Sequence, residues 1–183
     1  MYSPVERKGV ITLEGSPLTL VGPELTVGQE APDFRLIAPH KLLSPAPPKV
    51  ALAEGSGKVR LISVVPSLDT PVCDVQTETF EHEAGRFSEV VFYTVSADLP
   101  FAQNRYSDTR KIGNIQLLSD YRNLSFGAAY GVLIKELHLL SRAVFIVDAA
   151  GTVRYVHYVK EISQPIDYDE VGAALGEIAA RKS

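Results

Sequence analysis

The sequence predicts an α/β sandwich in which helices cover both faces of a central sheet. Two observations carry that reading. Short runs of β-branched and aromatic residues alternate along the chain with segments whose apolar residues recur at helical spacing. In addition, 183 residues with 45% apolar and 22% charged side chains suffice to bury a core, far from the composition of disordered chains. No repeat of about 20–50 residues and no low-complexity segment interrupts the pattern, so residues 1–183 are read as one domain.

Taken in order, Val10–Leu13 and Leu18–Val21 flank Glu14-Gly15-Ser16-Pro17 and predict a β-hairpin that precedes the main fold as an appendage. Residues 39–57 carry four prolines, among them those of Pro45-Ala46-Pro47-Pro48, and two glycines; they read as a surface connection with a short strand at Val50–Leu52. Val59–Val65 is a buried strand leading into a helix over Asp74–Phe87, whose apolar face is Val75, Phe80, Ala84 and Phe87. Further strands are expected at Val90–Val95, Ile115–Leu118 and Ala143–Val147. The last turns at Asp148–Gly151 into Thr152–Tyr158, an antiparallel pair at one sheet edge. A final helix places Tyr168, Val171, Leu175 and Ile178 on one face, with Arg181 and Lys182 at the end where cations suit the helix dipole.

Charge narrows the partners. Eighteen Lys and Arg against 22 Asp and Glu give a net charge of −4 with no basic cluster, so neither nucleic acid nor an anionic membrane is an expected partner. No apolar stretch approaches the ~20 residues that span a bilayer. The opening MYSPVERKGV lacks the apolar core of a signal peptide, and a cytoplasmic location is expected. His40, His82, His138 and His157 are scattered without metal-ligand spacing, and Gly55-Ser56-Gly57-Lys58 lacks the leading glycine of a phosphate loop and precedes a strand. No metal or cofactor is therefore expected.

One cysteine, Cys73, stands in the whole chain, which excludes an internal disulfide and a cysteine-rich zinc site. It falls just past a strand and inside the first turn of the following helix. There the unpaired N–H groups and the positive dipole end favour the thiolate, the nucleophilic form. A lone cysteine is also often a small buried hydrophobe, and periodicity alone leaves both readings open.

Pro66-x-x-x-Thr70-x-x-Cys73 resembles the active-site signature of the peroxiredoxins. Flanking stretches are similar to their thiol peroxidase subfamily: Gly28–Phe34, Ser96-Ala97-Asp98-Leu99-Pro100-Phe101-Ala102-Gln103, Ser119–Arg122, Tyr130–Val132 and Ser141–Ala143. The resemblance covers almost the whole chain. It implies a thioredoxin-like sandwich with a central mixed sheet, helices on both faces and an N-terminal β-hairpin. It also implies a thiol-dependent peroxidase acting on hydrogen peroxide or organic hydroperoxides, with thioredoxin or another thiol as reductant and a homodimeric assembly. Cys73 would attack the peroxide and become a sulfenic acid. Thr70 would orient the peroxide while contacting the sulfur, and Pro66 would shield the sulfur from water. Arg142, just before an apolar strand, would stabilise the thiolate and the charge developing on oxygen.

The chain departs from that pattern at one position. The subfamily carries a second, resolving cysteine shortly after the SADLPFAQ stretch, on the helix facing the active site, and Ser107 occupies the expected place. Either the chain is a natural one-cysteine variant served by an external thiol, or Ser107 was introduced to trap one state. A different class of function stays open beside catalysis: a non-catalytic redox-sensing interaction protein that forms a mixed disulfide at Cys73.

Overall fold

The computed structural model describes residues 5–39 and 47–181. His40, Pro45-Ala46 and Lys182 lie outside the described residues. The described chain runs β1 (Glu6–Leu13), β2 (Ser16–Val21), β3 (Arg35–Ile37), β4 (Lys49–Ala51), β5 (Arg60–Val64), α1 (Pro71–Ala84), β6 (Val91–Ser96), α2 (Pro100–Arg110), β7 (Gln116–Ser119), α3 (Ser125–Ala129), β8 (Leu133–Ile134), β9 (Leu139–Leu140), β10 (Ala143–Val147), β11 (Val153–Tyr158) and α4 (Tyr168–Ala180).

A seven-stranded mixed sheet in the order β11-β10-β5-β6-β7-β3-β4 forms the centre. β5, β6 and β7 run parallel, while β10 pairs antiparallel with β5 and β11 lies at one edge as expected. Every residue of β5 and β10 is buried, because apolar groups meet the strands from both sides. Strand alternation divides the residues between two cores. Leu61, Phe92, Leu117, Val144 and Ile146 join Cys73 and Phe80 of α1, Tyr106 of α2 and Val171, Leu175 and Ile178 of α4. Ile62, Val64, Tyr93, Val95, Leu118 and Phe145 face Phe34, Phe126 and Tyr130 on the other side. Helices thus cover both faces, unequally. The three longer ones share one face, and the second is closed by the five-residue α3 and by aromatic packing, with Phe126 stacked on Tyr130 at 4.3 Å between ring centroids.

Four expectations are corrected. The N-terminal hairpin turns through two residues only, Glu14 and Gly15, both at positive φ, so Ser16 and Pro17 belong to β2. Glycine suits that left-handed position, and two such residues in succession match the twist of a hairpin. Nor is the hairpin an appendage: β2 continues into β8 and β9 as a second, four-stranded sheet, and Ile11, Leu18 and Leu20 share a small core with Ile134 and Ile162. Helix α1 begins at Pro71, earlier than the apolar spacing indicates, because proline at the first helical position lacks an N–H that would go unpaired there anyway. Its buried stripe is Cys73, Gln76, Thr77, Phe80 and Ala84, while Val75 is 53% exposed. Within 47–57 the proline-rich connection yields β4, paired with β3, then a 3-10 turn over Leu52–Gly55.

Asp120, at the end of β7, caps α3 by accepting from the Phe126 and Gly127 amides at 3.2 and 2.8 Å. Burial raises its pKa from the ordinary carboxylate value of 3.8 to about 6, against the lowering effect of the Gly127, Phe126 and Ser125 amides. Unfolding restores the ordinary value, so between about pH 4 and pH 6 the folded state holds a proton that the unfolded state has released. The sign follows: this contribution is fully present below the unfolded value and is lost as pH rises through the folded one. Denaturant titrations across that window should show the stability advantage of wild type over Asp120→Asn shrinking as pH rises. A difference independent of pH would contradict the assignment.

Candidate active site

The site is built where β5 ends. Residues Pro66–Thr70 leave the strand, and Thr70, in extended conformation, gives its carbonyl to the Asp74 amide as the first hydrogen bond of α1. Cys73 is therefore the third residue of the helix, among the N–H groups that have no partner within it. It is free and entirely buried. The antiparallel register Ala143↔Val64 brings the start of β10 to the end of β5. Arg142 shares strand parity with Val144 and Ile146, which face α1, and so projects toward Cys73.

Arg142 is 2% exposed, and no carboxylate pairs with it among the described residues. Its guanidinium is spread over three acceptors. Nη2 donates to Cys73 Sγ at 3.3 Å and to the Ile162 carbonyl at 3.1 Å, Nε donates to the same carbonyl at 3.2 Å, and Nη1 donates to Gln76 Oε1 at 2.9 Å. Gln76 in turn donates from Nε2 to Ser63 Oγ on β5 at 2.8 Å. A buried cation needs paired or hydrogen-bonded surroundings, and here they are the Ile162 carbonyl, the Gln76 amide oxygen and the Cys73 sulfur.

The preceding loop is held from the next crossover. Asp98 accepts from Ser67 Oγ at 2.7 Å, from the Leu68 amide at 2.8 Å and from Ser96 Oγ at 2.7 Å. Gln103 donates to Ser96 Oγ and to the Leu118 carbonyl. The SADLPFAQ stretch thus acquires a physical role: Ser96, Asp98 and Gln103 tie β6 and α2 to the loop carrying Pro66 and Thr70. Pro66 is buried. Thr70 is exposed, and its hydroxyl donates to the Ser67 carbonyl at 3.0 Å instead of to the sulfur, which corrects the expected contact.

Helix α2 docks beside this first turn. Tyr106 donates to Asp74 at 2.7 Å, and Arg110 pairs with Asp74 and, at 3.2 Å, with Glu78. Ser107 follows Tyr106, half-buried, with its hydroxyl turned to the Ile112 carbonyl at 3.5 Å. A cleft of about 410 Å³ opens between the helices, lined by Asp69, Thr70, Pro71, Asp74, Arg105 and Arg110 among others. Tyr168 leans on Phe80 from α4 with its hydroxyl buried and unpartnered, and burial chiefly raises its pKa.

Gln76 and Asp98 escape the sequence reading as site residues. Gln76 had one signal, its place three residues after Cys73 and hence on the same helix face. The Ile162 carbonyl had none, since a backbone acceptor leaves no mark in side-chain chemistry.

A strand-loop-helix bearing a buried cysteine thiol under an arginine, on a mixed sheet, defines a thiol-reactive protein of the redoxin class. A family profile for redoxins matches residues 26–175. The chain belongs to that family. It is 51% identical to a thiol peroxidase of Halalkalibacterium halodurans over 160 residues, 87% of this chain and 93% of that one. To a thiol peroxidase of Bacillus subtilis it is 48% identical over 87% of this chain and 92% of that one. The crystal structure of a peroxiredoxin-like protein from Aquifex aeolicus superposes with a TM-score of 0.84 at 37% identity, covering 97% of this chain and 99% of that one. Within the redoxins the chain stands among the thiol peroxidases of peroxiredoxin type.

Replacing Gln76 by alanine leaves buried Arg142 Nη1 without its acceptor and buried Ser63 Oγ without its donor, at a cost of about 1–3 kcal/mol. Chemical unfolding should show that loss, and stopped-flow oxidation of Cys73 should slow in the same variant. A stable variant with unchanged oxidation would remove Gln76 from the site.

Proposed function

We propose that Cys73 is the peroxidatic nucleophile of a thiol-dependent peroxidase whose resolving thiol comes from another molecule. The observation that carries this reading is the 3.3 Å hydrogen bond from buried Arg142 to the sulfur at the first turn of α1. The thiolate attacks one peroxide oxygen, the O–O bond breaks, and the leaving oxygen departs as water or alcohol once protonated, leaving a sulfenic acid on Cys73. Arg142 favours the thiolate and stabilises negative charge developing on oxygen. The Thr70 proton is engaged by Ser67, so its hydroxyl lone pairs are free to accept from the peroxide O–H and orient it. Pro66, buried beside the loop, excludes water. A sulfur without solvent exposure supports hydrogen peroxide or small alkyl hydroperoxides as substrates.

With Ser107 in place of a second thiol, an external thiol attacks the sulfenic sulfur, releasing water and forming a mixed disulfide. A second thiol then frees Cys73. Thioredoxin or a small thiol fits this role. The reading includes a homodimer, supported by Val75, Leu99 and Phe101, each about half exposed on or beside the two helices next to the site. It also includes a cytoplasmic location. Among the described residues no helix is long and apolar enough to cross a membrane.

Cys73→Ser should abolish peroxide-dependent thiol oxidation while the fold is kept; retained turnover would overturn the assignment. Arg142→Lys should slow the oxidation of Cys73 about a hundredfold, the scale for losing a donor at a developing oxyanion. In Ser107→Cys, peroxide should yield an internal disulfide, seen as a two-hydrogen mass loss. Wild type should instead gain one oxygen and pass to a mixed disulfide when thiol is added. If the variant never forms the disulfide, residue 107 is not at the resolving position.

A further inference from the structure

We infer that Glu161, through the tip of the N-terminal hairpin, is a positioning residue that holds Arg142 over Cys73. This inference rests on the peroxidase reading above. Nε and one Nη2 proton of Arg142 converge on a single acceptor, the Ile162 carbonyl, at 3.2 and 3.1 Å. Two bonds from one edge of a planar guanidinium fix the orientation of the plane, so the other Nη2 proton is left aimed at the sulfur. The aim is only as firm as the carbonyl.

Three contacts with the hairpin hold that carbonyl. Residues 160–162 run parallel beside Thr12: the Thr12 amide donates to the Lys160 carbonyl at 2.6 Å, and the Ile162 amide donates to the Thr12 carbonyl at 2.9 Å. The Ile162 side chain is buried among Ile11, Leu18 and Leu20. Between these two residues, Glu161 gathers five donors on one carboxylate. They are Thr12 Oγ1 at 2.7 Å, the Glu14 and Gly15 amides at 3.0 and 3.1 Å, and the Ser163 amide and hydroxyl at 3.1 and 2.6 Å.

The hairpin turn supplies two of the five because Glu14 and Gly15 both take positive φ and direct successive amides to one side, a concavity suited to an anion. The Ser163 and Thr12 hydroxyls and the Gly15 amide lower the pKa of Glu161 to about 2, so the carboxylate stays ionised throughout the neutral range. None of its donors is cationic. A glutamine there places an amide N–H₂ against donors that need an acceptor, and the segment loosens without a change of volume.

The test compares full-length wild type and Glu161→Gln by three measurements: stopped-flow oxidation of Cys73 by hydrogen peroxide, the ultraviolet absorbance of the thiolate at neutral pH, and thermal unfolding. Oxidation should slow about five- to tenfold, the equivalent of one net hydrogen bond, and the thiolate absorbance should fall in a protein that still unfolds cooperatively. Should Glu161→Gln fail to fold, Ser163→Ala removes a donor to the same carboxylate from outside the hairpin and should move the same two signals in the same direction. A lowered melting temperature with unchanged thiolate absorbance and rate would make Glu161 a structural clamp only and overturn the inference. The two readings fail separately. An inert wild-type Cys73 would sink the peroxidase, whereas thiolate absorbance judges the clamp without reference to peroxide.

Discussion

A guanidinium buried to 2% exposure, with no carboxylate beside it among the described residues, is the constraint from which the rest of this site follows. Moving such a charge out of water is costly unless hydrogen bonds and an opposite charge replace what water gave. The chain meets the first need with a backbone carbonyl and a glutamine amide. On the proposed reading, the second falls to the sulfur of Cys73, which accepts from Nη2. A carboxylate partner would have settled Arg142 more simply and would also have neutralised the field that a thiolate requires. The neutral acceptors fix the cation in place without spending its charge.

The fold serves that arrangement through register. Parallel β5 and β6 force a crossover through α1, which puts a helix N-terminus at the carboxyl end of β5, where open α/β sheets place their ligands. Pairing β10 antiparallel to β5 then delivers the start of β10 to that same end, so a residue 69 positions along the chain arrives beside Cys73. The next crossover, from β6 into α2, contributes Asp98 and Gln103, which lock the intervening loop to the sheet. Three features of the sheet thus supply the cysteine, the cation beside it and the brace between them.

How much of this was legible in the sequence depended on where each feature stores its information. Val59–Val65, Ala143–Val147 and the Val171, Leu175, Ile178 face announce themselves because burial on a strand or helix imposes a period. The two-residue strands β8 and β9 and the three-residue β3 are too short to show one. Val75 misled because the stripe it was assigned to is buried through Cys73, Gln76 and Thr77, which find partners in Arg142, Ser63 and, for Thr77, the Cys73 carbonyl of the same helix. Cys73, Thr70, Pro66 and Arg142 could be nominated by motif, since side-chain type and spacing survive in one dimension. Asp98 was visible only as part of a matching stretch, and its bonds to Ser67 and Leu68 show why that stretch has the residues it has. The Ile162 carbonyl was invisible, and with it the reason for a hairpin that looked peripheral.

Ser107 alters what the neighbouring helix has to do. On a two-cysteine scheme, α2 must bring residue 107 to a sulfur that is wholly buried, so its contacts with α1 would have to yield in each cycle. Here α2 is tied to that turn by Tyr106 on Asp74 and Arg110 on Asp74 and Glu78, and the loop is tied to α2 by Asp98. Nothing in a one-cysteine cycle requires those contacts to break for disulfide closure. What must open instead is a path for an external thiol to a sulfenic sulfur lying beneath Arg142. On the proposed cycle, the oxidised sulfur keeps its surroundings until that thiol arrives and remains open to a second peroxide and the sulfinic state. The rate at which an external thiol gains entry, set against the arrival of further peroxide, therefore governs how long such an enzyme stays in its cycle.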